Sequence, residues 1–452
     1  MAAAASSIDR SGALEITQRL TEICGPPFAR FAGPADEVAG RAARWVAVPG
    51  GPHAAAEVLR LAAAHDLTVV PRGAGTKIDW GAAPEQVDIL LDTGRLAGIG
   101  HEPVGAAAAE VGAGTPLRAV QATLERTGQR LAVDAPSPGA TLGGVLAAGE
   151  AGPLRHRHGT PCDQLVGVRY LTAEGELVSA GGGAPGLDLA RLLCGSQGAL
   201  GVLVSATLRV QPVPAMRLWV SRPVWTPLEV NDLVRTILAA HLDPSAVELD
   251  LAASGPRPRR PIDPADPSAA ARARHPSMAG RARVPSRAGS LVVLLEGGPA
   301  DVVERAERLV SVLDGDATVT HSPPTWWRRY PFGPGDTALR IEVPITDLHA
   351  AVYALRDAAG APVPVRGSAG LGVVHAALPG TLPADRVASI VAAVRGVLLA
   401  RRGRCVVLSA PPPVRRAVDL WGELTGLPRL RAAKEHLDPH HRLAPGRLPG
   451  GG

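Results

Sequence analysis

Three glycine-rich segments, each set beside an apolar run, constrain this chain more than any other feature. The first is "VVPRGAGTKIDWG", residues 69–81. Val69 and Val70 begin an extended stretch that halts at Pro71 and opens into Arg72-Gly73-Ala74-Gly75-Thr76-Lys77. Glycine permits positive φ, so successive backbone N–H groups can converge into a concave nest that suits a phosphate or diphosphate. The loop is not a Walker A sequence, which needs Gly-Lys-Ser/Thr opening a helix. Here Thr76 precedes Lys77, and "IDWG" starts a helix poorly. The second segment is "PSPGATLGGVLAAGEAGPLRHRHG" (136–159) and the third is "LLCGSQGALGVLVSATLRVQP" (192–212). One such loop reads equally well as a tight surface turn. Three, each beside a strand, point to a long ligand clasped along its length.

The surrounding pattern is mixed α and β. Leu14, Ile16, Leu20 and Ile23 have helical spacing over 12–24. "WVAVP" (45–49), "HAAAEVLRLAAAHD" (53–66) and "LTVVP" (67–71) read as strand, helix and strand, with "VDILLDT" (87–93) a third strand. Residues 117–128 read as a helix, 164–181 as a hairpin turning at Glu174-Gly175, 187–195 as a short helix and 200–212 as a strand closed by Pro212. From 214 to 425, strands near 217–221, 246–252, 291–297, 338–344, 371–377 and 404–409 alternate with helices near 227–241, 300–314, 347–359 and 383–401. That alternation predicts a doubled ferredoxin-like unit with a largely antiparallel sheet. Residues 254–289 are rich in Pro, Arg, Ser and Ala and nearly devoid of large apolar side chains, so a disordered insertion is expected there.

Composition excludes several classes. The 452 residues carry a formal net charge of only +5, and the arginines are scattered rather than gathered on an aromatic-studded face, which argues against nucleic-acid binding. Lys77 and Lys434 are the only lysines among 47 basic residues. Cys24, Cys162, Cys194 and Cys405 stand far apart with no Cys-x-x-Cys, which argues against an internal iron–sulfur cluster or structural zinc and fits free, mostly buried thiols in a reducing cytoplasm. No apolar run reaches the roughly 20 residues of a membrane span. His436, His440 and His441 read as surface histidines, and no metal site is expected.

"VPRGAGTKIDWG", "TLGGVLA", "DLARLLCGSQGALGVL" and the strand ending "RVQP" resemble the FAD-binding domain of the vanillyl-alcohol oxidase (PCMH-type) flavoprotein superfamily. Within it they are similar to the FAD-binding subunit of glycolate oxidase and to related 2-hydroxy-acid oxidoreductases. The likeness covers about residues 35–215 and returns in "KEHLDPHHRLAPGRLPG" (434–450). It implies an α+β fold: a helical lead (1–34), a two-subdomain FAD-binding domain (35–213, divided near 100), a ferredoxin-like cap (214–425) and a C-terminal segment (426–452) returning to the flavin domain. Pro71, Arg72, Gly73, Ala74, Gly75 and Thr76 match the diphosphate loop. Pro138, Gly139, Thr141, Gly143 and Gly144 match the loop along which the ribityl chain and ring pass. Asp163 matches an acidic position, and Gly195, Ser196, Gly198, Gly201 and Val202 match the segment closing on the adenine half. Covalent attachment in the superfamily uses a His in the first loop. Gly75 and Thr76 stand there, so FAD is expected to be noncovalent.

Three departures bear on activity. The segment "AGGGAPGLDLARLL" (180–193) is shorter than its counterparts and has Leu187 in place of a Tyr. The family's metal and hydroxy-acid frame reads Ser368-Ala369-Gly370-Leu371-Gly372-Val373-Val374-His375, keeping only the last His. The usual Asn of the tail is Ala444. Two functions stay open. One is an FAD-dependent oxidoreductase taking a hydride from a small 2-hydroxy acid or related alcohol, with His375 and His156 the candidate bases. The other is a non-catalytic FAD-binding subunit beside a catalytic flavoprotein and an iron–sulfur partner. "TWWRRYPF" (325–332) reads either as a core anchor or as the lining of a carboxylate entrance.

Overall fold

The computed structural model describes residues 10–100, 107–181, 188–251, 289–314 and 316–450. The expected insertion 254–289 lies, apart from Gly289, outside the described residues, as does Leu187. The chain divides into two compact units, Met1–Val213 with Leu408–Gly452, and Pro214–Val407. Among the described residues no helix is long and apolar enough to cross a membrane.

In the first unit, the apolar pattern of 45–93 builds a four-stranded sheet in the order Ala29–Phe31, Trp45–Ala47, Ile89–Asp92, Val69–Arg72. The strands Trp45–Ala47 and Val69–Arg72 flank the helix Pro52–Ala64 in sequence, yet they are not neighbours in the sheet. Ile89–Asp92 lies between them and is parallel to both. Its run Ile89-Leu90-Leu91 is buried throughout, as a strand covered on both faces must be, which gives it the central place. Trp45, Ile16, Leu20 and Leu59 complete this core, with the helices Arg10–Cys24 and Pro52–Ala64.

The second sheet of this unit is antiparallel. Its order is Leu177–Gly181, Leu165–Leu171, Val202–Pro212, Ala108–Gly112, Ile99–Gly100. The hairpin expected over 164–181 is present, and the eleven-residue strand Val202–Pro212 is its spine. The helices Leu117–Glu125 and Leu142–Ala148 bury Val120, Leu124, Val145 and Leu146 in its core. The second of these, inside the second glycine-rich segment, was not evident from sequence: a seven-residue helix with two glycines has no readable period.

The Pro214–Val407 unit carries an eight-stranded sheet in the order Thr318–Thr320, Met216–Val224, Gly289–Gly297, Ala246–Leu251, Val365–Ser368, Val373–Leu378, Thr337–Glu342, Arg404–Ser409. Each half is a β-α-β-β-α-β run with its first and third strands at the centre. The two halves join through their second strands, Ala246–Leu251 and Val365–Ser368, which pair antiparallel. The doubled ferredoxin-like layer is therefore real. Sequence reading missed Thr318–Thr320 and Val365–Ser368, which are too short and too polar to show alternation.

The C-terminal segment is fastened within the first unit by Lys434, on the helix Leu427–Leu437. Its ammonium donates to Asp438 Oδ2 at 2.7 Å, Leu443 O at 2.7 Å and Ala199 O at 2.9 Å, which satisfies all three donors in a fully buried setting. Burial pulls the Lys434 pKa below the ordinary lysine value, against the pull of Asp438. Beyond it, Leu443 bridges Val69 in parallel and Ala444 N donates to Val69 O, so the tail extends the first sheet. Ala444 sits at φ +43, a left-handed conformation that Asn tolerates better than Ala. Lys434→Met would leave Asp438 buried without its cation. Equilibrium denaturation is expected to show a loss of about 3–5 kcal/mol.

Candidate functional site

The first glycine loop leaves the carboxyl end of the strand Val69–Arg72. The Arg72 side chain turns back to the sheet. Its Nε and Nη2 donate to Asp92 Oδ2 at 3.2 and 3.0 Å, and its Nη1 to Asp36 Oδ1 at 3.2 Å. Arg30 holds the other oxygen of Asp36 at 2.6 Å. The side chain thus anchors the loop, and the backbone carries the nest. Among the described residues, the N–H groups of Gly73, Ala74, Gly75 and Thr76 have no hydrogen-bond acceptor. Ala74 and Thr76 are exposed, and Gly75 takes φ +72. Four consecutive unused donors beside positive-φ glycine are what a bound diphosphate requires.

The second loop lies against the first. Thr141 caps the helix Leu142–Ala148 by accepting from Gly144 N at 3.3 Å. A Cβ at Gly73 would stand 2.3 Å from Thr141 Oγ1, so a side chain there would displace the hydroxyl that caps the helix. The two loops are also joined by a buried ion pair. Lys77 Nζ donates to Glu150 Oε2 at 2.5 Å and to Thr76 Oγ1 at 3.1 Å. Glu150 Oε1 accepts from Ser137 N at 3.0 Å and Ser137 Oγ at 2.6 Å.

The third loop closes on both. Gly195 N donates to Leu146 O at 2.9 Å and Gln197 N to Ala147 O at 2.8 Å, fastening it to the helix of the second loop. A Cβ at Gly198 would meet Pro71 at 3.0 Å, and one at Gly81 would meet Gln197 at 2.7 Å. Residues 71–77, 137–150 and 195–198 therefore form one connected patch. Arg447 joins the tail to it by donating to Ile78 O at 3.1 Å and Trp80 O at 2.8 Å.

The sequence-derived site residues divide by geometry. Gly139 and Gly195 have positive φ, are exposed, and would leave a Cβ in open space, as backbone facing a ligand does; Pro138 is exposed beside them. Gly143 and Gly201 are held by packing instead: a Cβ would lie 2.7 Å from Ala113 and 2.7 Å from Tyr170, respectively. Val202 is fully buried in the core, and the buried Ser196 donates to Leu193 O at 2.8 Å. Asp163 accepts from Thr160 N and Oγ1, both at 2.8 Å, in a capping box that holds its carboxyl below the usual range. His156 lies half-buried on the one-turn helix Arg155–His158.

In the Pro214–Val407 unit, His375 stands on Val373–Leu378, opposite Arg366 on one neighbouring strand and Arg340 on the other. Its ring meets Tyr330 edge-on at 4.9 Å and Phe332 at 6.3 Å. Within "TWWRRYPF", Trp327 is buried against Trp219 and Trp326 lies under the Arg366 guanidinium. Sequence reasoning missed Lys77, Glu150, Ser137 and Lys434. The one available signal was that two lysines survive in a chain that otherwise uses arginine.

Comparison with known proteins reaches the first two of these loops. Residues 43–181 match the FAD binding domain family. The match covers less than half of the chain and marks that segment as similar to FAD-binding domains. The chain is 40% identical over 117 residues to glycolate oxidase subunit GlcE of Escherichia coli (strain K12), covering 25% of this chain and 33% of that one. It is 32% identical over 178 residues to D-2-hydroxyglutarate dehydrogenase of Xanthomonas citri pv. viticola, covering 37% of each. It is 29% identical over 204 residues to D-lactate dehydrogenase of Archaeoglobus fulgidus, covering 43% of this chain and 45% of that one. The matches thus span under half the length of these relatives. The fold as a whole resembles alkyldihydroxyacetonephosphate synthase (TM-score 0.67, 15% identity, covering 96% of this chain and 84% of that one). It also resembles 4-ethylphenol oxidase from Gulosibacter chungangensis (TM-score 0.67, 14% identity, 98% of both).

Two predictions follow from the flavin domain's anchors. Lys77→Met removes the buried ammonium from Glu150 Oε2 and should cost about 3–5 kcal/mol in denaturation experiments. The Asp36 carboxyl is held well below the ordinary range, mainly by Arg30 and also by Gly33 N and Arg72, against its desolvation. Its stabilising contribution is therefore full above the unfolded carboxylate value and is lost as pH falls below about 4. Asp36→Asn should lower stability at neutral pH by about 2–3 kcal/mol and flatten the acid limb of the stability profile.

Proposed function

We propose that the chain is an FAD-dependent oxidoreductase acting on the CH–OH group of a small 2-hydroxy acid or related alcohol, with FAD bound noncovalently. The carrying observation is the single patch made by three glycine turns, with four unused amides at its first turn. The N–H groups of Gly73 to Thr76 would hold the diphosphate. Thr141 and Gly144, with the open backbone at Gly139 and Gly195, would border the rest of the elongated molecule. Pro71, Gly143, Asp163, Ser196, Gly198, Gly201 and Val202 shape and stiffen the turns around it. Bound FAD supplies the two-electron acceptor at its ring. Gly75 and Thr76 offer no side chain that would form a covalent link through an imidazole.

The substrate class rests on the relatives, whose names include glycolate, D-lactate and D-2-hydroxyglutarate. Oxidation needs a group to accept the hydroxyl proton. His375 is the first candidate and His156 the second. The arginines opposite His375, Arg366 and Arg340, would favour a carboxylate nearby, although each already has an acidic neighbour in Asp250 and Glu342.

A second reading is favoured by the turn Ser368–Gly372, which holds none of the acidic, amide or imidazole groups expected in that frame ahead of His375. The chain would then serve as an FAD-carrying subunit beside a catalytic flavoprotein and an iron–sulfur partner in the cytoplasm. It is consistent with the subunit name of the Escherichia coli relative.

Purified protein should show flavin absorbance, and denaturation should release all of the flavin. Anaerobic addition of glycolate or D-lactate should then bleach it, and His375→Ala should slow bleaching about 10²–10⁴-fold. Retained FAD with no bleaching by a panel of hydroxy acids would favour the subunit reading. Failure to take up FAD would overturn both.

A further inference from the structure

Two of the four cysteines, remote in sequence, come together in the fold. Cys24 and Cys405 are buried, and burial raises both thiols, Cys405 to about 11. Cys162 and Cys194 are half-exposed, and each thiol lies close enough to shift the other's titration. The contact is built by the backbone. Cys162 stands on the 3-10 turn Pro161–Gln164, locked by the Thr160–Asp163 capping box. Cys194 ends the short helix Leu189–Leu193. Both converge on one carbonyl: Arg191 O accepts from Cys194 N at 3.2 Å and from Cys162 Sγ at 3.8 Å. The Arg191 guanidinium reaches Asp163 at 3.6 Å, tying the two turns together from the side-chain end.

We propose that Cys162 and Cys194 form a redox-active dithiol that closes to an intramolecular disulfide on exposure to a hydroperoxide. This goes beyond the proposed oxidoreductase activity and does not depend on it. The roles are unequal. The neighbouring Cys194 thiol, helped by Arg191, lowers the Cys162 thiol, and the same proximity together with burial raises Cys194. Cys162 is therefore the attacking thiolate and Cys194 the resolving thiol. The Cys162 sulfur attacks one peroxide oxygen, the O–O bond breaks, and the departing hydroxide takes up a proton to become water. Cys162 is left as the sulfenic acid. Cys194 then loses its proton and attacks that sulfur. The S–S bond forms, the S–O bond breaks, and a second water leaves. Two thiols are oxidised by two electrons, and one peroxide is reduced to two waters. The disulfide would staple the turn at Cys162 directly ahead of Gly195, where the third glycine loop begins.

The test uses the full chain, reduced with dithiothreitol, desalted and treated with hydrogen peroxide. Peptide mapping without reductant should find the Cys162 and Cys194 peptides joined, with the mass of two hydrogens lost, while Cys24 and Cys405 remain alkylatable. Dithiothreitol should restore both thiols. In Cys194→Ser, Cys162 should stop at a sulfenic acid that dimedone traps, and Cys162→Ser should leave Cys194 reduced. Over-oxidation of Cys162 without a cross-link in the native chain, a link between two copies, or equal reaction at all four cysteines would overturn the proposal.

Discussion

The Lys77–Glu150 ion pair is the constraint on which the rest of the flavin domain depends. A loop such as Arg72-Gly73-Ala74-Gly75-Thr76 has almost no side chains with which to hold its own shape. Gly73 can approach Thr141 only because it lacks a Cβ, and the same lack gives it conformational freedom in the unfolded chain. The buried ammonium on Glu150, itself fixed by Ser137, supplies rigidity from the residue just past the glycines. The donors of 73–76 are then left without an acceptor among the described residues. Desolvating both charges is costly, and the attraction between them offsets that cost only while the geometry is held. Lys434 repeats the arrangement for the tail, drawing Leu443 and Ala199 onto one buried ammonium.

Much of the site was legible in the sequence because glycine marks backbone chemistry locally. The three loops, their flanking strands and the hairpin turn at Glu174-Gly175 all announce themselves within a few residues. What could not be read is what joins them. Lys77 and Glu150 are 73 residues apart, and Lys434 and Ala199 are 235 apart, so no local period carries either contact. The place of Ile89–Asp92 between two strands that precede it was hidden for the same reason, although its uniformly apolar run was the clue. Gly143 and Gly201, expected as ligand positions, are packed so closely that a Cβ at either would lie 2.7 Å from a neighbour. From sequence alone, a glycine against Ala113 looks the same as a glycine against a cofactor.

The Pro214–Val407 unit shows a second kind of economy. Two ferredoxin-like halves pair through their second strands, so the two sheets become one and neither joining strand is left as an open edge. The same register sets Asp250, Arg366, His375 and Arg340 side by side across four strands. The frame that lost its other polar groups, Ser368–His375, is the hairpin at the centre of that row. Polarity is thus kept in the strands that neighbour the altered frame.

Backbone amide exchange at residues 73–76, measured by mass spectrometry with and without FAD, tests the central claim most directly. The account predicts that these amides exchange rapidly in the free protein and become strongly protected when FAD is bound, because they become donors to its diphosphate. Saturating FAD that leaves exchange at 73–76 unchanged would contradict it.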